Sequence, residues 1–73
     1  MDYRKHYAKL ISTRINLKRE KSKVDYYESH HIIPRCLGGS DDKDNLILLT
    51  AREHFIAHRL LNKMYPGEKG LLW

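Results

Sequence analysis

A single cysteine, Cys36, in a chain of 73 residues removes the internal disulfide on which small folds commonly rely. A chain this short buries only a little over half of the surface it exposes when unfolded, so its core needs a bound metal or a partner to gain a comfortable margin. The same count excludes a zinc site built on two or four cysteines. Any metal staple must therefore come from other side chains.

The charged residues set the partner classes. Fourteen Lys and Arg stand against nine Asp and Glu, a formal net charge of +5. That balance suits a polyanion, either nucleic acid or an acidic membrane surface, and it also suits a solvated basic surface with no partner at all. Hydrophobic residues at 41% place the chain among globular domains rather than disordered ones. The longest aliphatic run, Leu46-Ile47-Leu48-Leu49, is far too short to span a bilayer, so no membrane role is expected. The opening Met1-Asp2-Tyr3-Arg4-Lys5-His6 has no apolar leader segment. The expected compartment is reducing and cytoplasmic.

Three segments and a tail follow from periodicity. Tyr3, Tyr7, Leu10, Ile11 and Ile15 share one face of a helix over residues 3–19, with 1–20 as its segment. Its other side carries Arg4, Lys5, Lys9, Arg14, Lys18 and Arg19, either a phosphate-gripping face or a merely solvated one. A charged linker occupies 21–25. Residues 26–33 read as a strand closed by Pro34, and 45–49 as a second strand. Between them Gly38-Gly39-Ser40-Asp41-Asp42 predicts a loop, which makes the pair a wide hairpin. Thr50 and Glu53 have capping-box spacing and predict a second helix through Met64, stopped by Tyr65-Pro66-Gly67. Ile56, Ala57, Leu60, Leu61 and Met64 form its apolar arc. The tail, 65–73, ends on Leu71-Leu72-Trp73, which either docks on the core or belongs to a longer parent chain. The predicted fold class is α+β: an amphipathic helix, then a two-stranded antiparallel hairpin and a helix over residues 26–64.

Four of the five histidines fall in that last unit. His54 and His58 lie four apart on the second helix, about 40° round and one turn up, so two imidazoles can reach one ion. Alone, such a pair is more often an ordinary helix boundary than a metal site. His30-His31 changes the balance. Adjacent strand residues point to opposite faces, so one is a natural third ligand and the other is free for proton transfer. A catalytic metal site uses three protein ligands and an open position.

The stretch His30-His31-Ile32-Ile33-Pro34-Arg35, followed by Gly38-Gly39-Ser40-Asp41-Asp42, Asp44-Asn45-Leu46 and His54-Phe55-Ile56-Ala57-His58, resembles the HNH nuclease motif. His31, Asn45 and His54 match the three named positions, at separations of fourteen and nine. His58 matches the fourth position of the histidine-rich branch, and Thr50 to His58 is similar to bacteriophage homing-type HNH endonucleases. The resemblance implies the ββα-metal fold and an enzyme, a metal-dependent DNA endonuclease. It implies His31 as general base and His30, His54 and His58 as ligands of one divalent ion. It implies Asn45 as the residue that ties the loop down and fixes the base. Glu28 is placed to orient a neighbouring group, while Pro34 and Cys36 are read as structural. Unlike many relatives, the chain has no Cys-x-x-Cys knuckles, and its length holds no separate DNA-recognition module.

Three imidazoles suit zinc, nickel, cobalt or manganese better than magnesium, yet the resemblance implies that family members often use magnesium. The cofactor is therefore expected to be one of Mg2+, Mn2+, Zn2+ or Ni2+, with no small-molecule cofactor. DNA is the expected partner. Arg35, Arg52, Arg59 and Lys63 are expected at phosphates near the site, and Lys9, Arg14 and Lys18 on the first helix. The rival readings are a non-catalytic, metal-stabilised nucleic-acid-binding module, which would need the ligands but not His31, and a phage accessory or interaction domain, which would bind no metal.

Overall fold

A computed structural model describes residues 2–71. Helix α1 (Tyr3–Ile15) is followed by strand β1 (Glu28–His31), strand β2 (Leu46–Leu49) and helix α2 (Ala51–Met64), with short 3-10 turns at Arg35–Leu37, Lys43–Asn45 and Lys69–Leu71. The strands pair antiparallel, with Glu28 opposite Leu49, Ser29 opposite Leu48, His30 opposite Ile47 and His31 opposite Leu46. The α+β order and the ββα unit are as the sequence predicts.

The register decides what faces inward. Directly opposed residues of an antiparallel pair share a sheet face, and the faces alternate along each strand. Glu28, His30, Ile47 and Leu49 therefore lie on one face, and Ser29, His31, Leu46 and Leu48 on the other. The first face closes the core with Tyr7 and Ile11 of α1, Ala57 and Leu61 of α2, and Leu71. His30 sits in this core as a buried polar residue, 2% exposed. Among the described residues, no helix is long and apolar enough to cross a membrane.

Both helices begin on side-chain caps. Asp2 Oδ1 accepts from Lys5 N at 3.0 Å, which satisfies one of the free N–H groups of the first turn. For α2, Thr50 Oγ1 accepts from Glu53 N while Glu53 Oε1 accepts from Thr50 N, the reciprocal box the sequence spacing predicts. The same carboxylate also reaches α1. Arg14 Nε donates to Glu53 Oε2 at 2.7 Å, and Arg19 donates to both carboxylate oxygens and to the Leu48 carbonyl. The two arginines and the Thr50 N–H hold the Glu53 carboxyl down to about 2, with the Arg19 hydrogen bond the largest cause.

The element boundaries differ from expectation for local reasons. Helix α1 stops at Ile15 rather than residue 19, because Leu17 N and Lys18 N turn back to Arg14 O and Ile15 O and Lys18 enters the left-handed region at φ 49°. Ile15, expected on the buried face, is therefore half-exposed at the frayed end of the helix. Strand β1 is four residues rather than 26–33. Tyr26 is exposed, its hydroxyl donating to Glu28 Oε2, and Ile33 N is drawn away to the Asn45 side chain. Asn45 closes a 3-10 turn instead of opening β2. Ile56 faces outward from the end of its arc and is partly exposed. The tail does dock through Leu71, which is buried, and Gly70 lies so close to Cys36 that a Cβ there would fall 2.6 Å from Cys36 Cβ. Leu72 and Trp73 lie outside the described residues.

Replacing Glu53 by Gln keeps the cap geometry and removes the charge. An unfolded glutamate protonates near 4.5 and the folded one near 2, so within that window the unfolded state binds more protons and the charge's contribution is lost as pH falls. Allowing for solvent screening of a group at the surface of the core, Glu53→Gln should cost about 1–2 kcal/mol at pH 7. In urea melts across a pH series, the gap between the two proteins should close between about pH 4.5 and pH 2. Equal stability at neutral pH would show that the arginine pairs contribute nothing through charge.

Candidate metal and hydrolytic centre

Strand alternation divides His30 from His31, and α2 supplies the rest of the cluster. His30 faces α2 from the inner side of β1, directly over the turn that carries His54 and His58. The ring centroids of His30 lie 5.0 Å from His54 and 5.4 Å from His58, and those of His54 and His58 are 4.8 Å apart. One ligand atom from each of the three rings lies within 4.8 Å of the others, the one such group of three among the described residues.

Each ring is also held from outside the cluster. His30 Nε2 lies 2.8 Å from the Tyr7 hydroxyl. His54 Nδ1 lies 2.8 Å from Glu28 Oε1, on the same sheet face as His30. His58 faces the backbone of Leu71, which works against burial in setting the charge of its ring. Burial pushes His30 down to about 3, helped by His54, His58 and His31, and burial followed by His54 lowers His58. These two rings are neutral at pH 7, the form in which imidazole binds metal. Glu28 is itself held low by the Tyr26 hydroxyl first and by His54 second, so it stays a carboxylate that accepts from His54.

This donor set fits a divalent metal. His54 Nε2 and His58 Nε2 are 3.1 Å apart. Two nitrogens bound at ~2.0–2.1 Å to one ion lie roughly 2.9–3.4 Å apart for angles between a right angle and the tetrahedral value. Outward partners such as the Glu28 carboxylate on His54 and the Tyr7 hydroxyl on His30 are the arrangement that orients histidine ligands around an ion.

His31 lies on the other sheet face, and its Nε2 pairs with Asp41 Oδ1 at 2.7 Å. Asp41 is held low by that bond and then by Arg35, whose Nε is 3.9 Å away. His30, His31, His54 and His58 nonetheless line one cleft of about 280 Å³, together with Ser29, Pro34 and Arg35. The loop that carries Asp41 is tied by Asn45, which is 9% exposed. Its Oδ1 accepts from Ile33 N at 2.8 Å, and its Nδ2 donates to Ile33 O at 3.0 Å and Ser40 O at 2.7 Å. Gly39 completes the crossing, since a Cβ there would sit 1.7 Å from the Ile33 carbonyl oxygen.

The basic residues divide. Arg35 is exposed at the mouth of the histidine cleft. Arg52, Arg59 and Lys63 are on a different side of α2 and line a separate groove with Tyr3, Phe55, Ile56 and Leu60. At about 100° per residue, Arg59 is ~140° round the helix from His54. Lys9 and Lys18 are exposed, whereas Arg14 is engaged by Glu53. Sequence reasoning missed Tyr7 and Asp41 as neighbours of the histidines. Tyr7 reads as one more apolar position, although a buried tyrosine hydroxyl needs a partner. Asp41 reads only as loop composition.

Comparison with known proteins places the sequence in a family. The family model for HNH endonuclease matches residues 17–59. The chain is 55% identical over 74 residues to "Probable mobile endonuclease D" of Enterobacteria phage T4, covering 100% of this chain and 29% of that protein. It is 61% identical over 66 residues to "Probable mobile endonuclease E" of the same phage, covering 90% and 45%. The chain thus spans less than half the length of these curated relatives. No solved structure matches it.

Asn45→Ala would leave the Ile33 N–H, the Ile33 carbonyl and the Ser40 carbonyl without their partner. The expected cost is about 2–3 kcal/mol, since unpaired buried polar groups keep their desolvation penalty. For a domain of this size that is a fall of roughly 10–20 °C in Tm. A thermal melt within a few degrees of the parent would contradict the role of Asn45 as the loop tie.

Proposed function

Because the chain belongs to the HNH endonuclease family, we propose that it is a metal-dependent endonuclease core that hydrolyses DNA phosphodiester bonds. The observation that carries this reading is the convergence of His30, His54 and His58 in one cleft with His31, which comes from the opposite face of the same strand. His30, His54 and His58 would hold one divalent ion, which when bound supplies Lewis-acid stabilisation of charge on the scissile phosphate. The names of the phage relatives support the nuclease assignment.

His31 would act as the general base. Asp41 engages its Nε2, which leaves Nδ1 to take a proton from water. The water oxygen forms the new bond to phosphorus, the bond to the 3′ oxygen breaks, and that oxygen is protonated from solvent. The products are 5′-phosphate and 3′-hydroxyl ends. Asn45 would keep the loop of Asp41 in register with His31, and so act on the base through the loop. Arg35 would meet phosphate beside the cleft, and Lys9 and Lys18 would add contacts to the backbone that carry no sequence information. Arg52, Arg59 and Lys63 would contact DNA only where it passes the far side of α2. Arg14, paired with Glu53, would reach DNA from the same face as Lys9 and Lys18 only by sharing its guanidinium with that carboxylate.

Nicking of supercoiled plasmid, with Mg2+, Mn2+, Zn2+ or Ni2+ and with EDTA, tests the reading. His31→Ala should retain metal binding and lose about 10²–10⁴-fold in rate. Cutting at the parent rate by this variant would remove His31 from the mechanism, and no cutting by the parent with any ion would favour the non-catalytic module. In thermal melts, Ni2+ or Zn2+ should raise Tm and EDTA should reverse the rise, because an ion bound only by the folded state stabilises it by mass action. His54→Ala and His58→Ala should each abolish the rise. A melt indifferent to metal would exclude a tight site.

A further inference from the structure

Tyr7 lies on α1, outside the residues 17–59 that match the family model. It is buried, and its hydroxyl oxygen is 2.7 Å from the Ile32 carbonyl oxygen and 2.8 Å from His30 Nε2. A phenol has one proton, and a carbonyl oxygen only accepts. The Tyr7 proton therefore goes to Ile32. That carbonyl is itself fixed in place, since Ile32 N donates to Asn45 O at 2.8 Å. The contact with His30 is then a hydrogen bond only if Nε2 carries a hydrogen and donates to a Tyr7 lone pair. A neutral imidazole carries one N–H, so Nδ1 is left with the lone pair.

We propose that Tyr7 is a positioning residue for the metal centre: by giving its proton to Ile32 it locks His30 in the Nε2–H tautomer and presents Nδ1 to the ion shared with His54 and His58. This rests on the assignment of His30 as a ligand. The N-terminal helix is then part of the site's support, and its docking and the orientation of one ligand are a single event. Glu28 sets His54 in the complementary way, by engaging Nδ1 while Nε2 faces His58.

Nitrogen-15 NMR of the imidazoles in the metal-free, unsubstituted protein reads the tautomer directly. His30 should carry its hydrogen on Nε2, and a hydrogen on Nδ1 overturns the proposal whether or not any variant folds. Tyr7→Phe keeps the ring and removes the hydroxyl, so His30 should shift toward a mixture of tautomers. Its affinity for Ni2+, by calorimetry, should fall about 10–100-fold, the usual effect of removing a group that orients a ligand. His30→Ala separates the two readings, with each variant checked for a native circular dichroism spectrum. If His30→Ala binds Ni2+ as the parent does, His30 is not a ligand. If His30→Ala loses binding while Tyr7→Phe keeps parent affinity and tautomer, the ligand assignment stands and the Tyr7 lock fails.

Discussion

The Glu53 carboxylate is the junction through which the two helices share one frame. One oxygen closes the cap of α2 on Thr50 N, and both take hydrogen bonds from arginines of the N-terminal segment. The pairing orients α1 across α2 and the sheet, so that Tyr7 and Ile11 cover Ile47, Leu49 and Leu61. Exposed ion pairs contribute little because water screens them. This one is largely covered, with the Glu53 side chain 13% exposed, and it is fixed by a helix cap that would exist without the arginines. A short chain with no disulfide gains from such a shared anchor, since one ordered carboxylate serves three connections.

The histidine cluster follows from the sheet register once that frame is in place. His30 opposes Ile47 and must face inward with it. Imidazole rings gathered at a core draw on polar partners around them, because an unpaired buried nitrogen keeps its desolvation penalty. The Tyr7 hydroxyl, Glu28 and the Leu71 backbone come from a helix, a strand and the tail, so the cluster draws on most of the molecule. His31, one residue on, escapes this environment and meets Asp41 at the surface of the loop.

Much of this is legible in the sequence alone. The alternation of a strand separates His30 from His31, helical spacing brings His54 to His58, and Thr50 with Glu53 announces α2. Those signals are local, and local geometry is what a sequence expresses most directly. The remainder depends on tertiary contacts. Nothing in Arg14 or Arg19 indicates that they reach Glu53, 39 and 34 residues on. The left-handed turn at Lys18 that ends α1 early has no glycine to mark it. Tyr7 fits its apolar stripe so well that its hydroxyl attracts no notice, and the strand ends were set by Asn45 competing for the backbone of Ile33 rather than by β-propensity.

The place of α1 also bears on how such a core can be moved between proteins. The matched family segment starts at residue 17, after α1 has ended. A cassette cut at that boundary would carry every histidine of the cluster but leave Ile47, Leu49 and Leu61 bare on the side that Tyr7 and Ile11 cover. It would also leave behind one of the two arginines that Glu53 holds. For grafting or domain shuffling, the smallest portable unit is therefore set by packing rather than by motif, and it begins at the Asp2 cap.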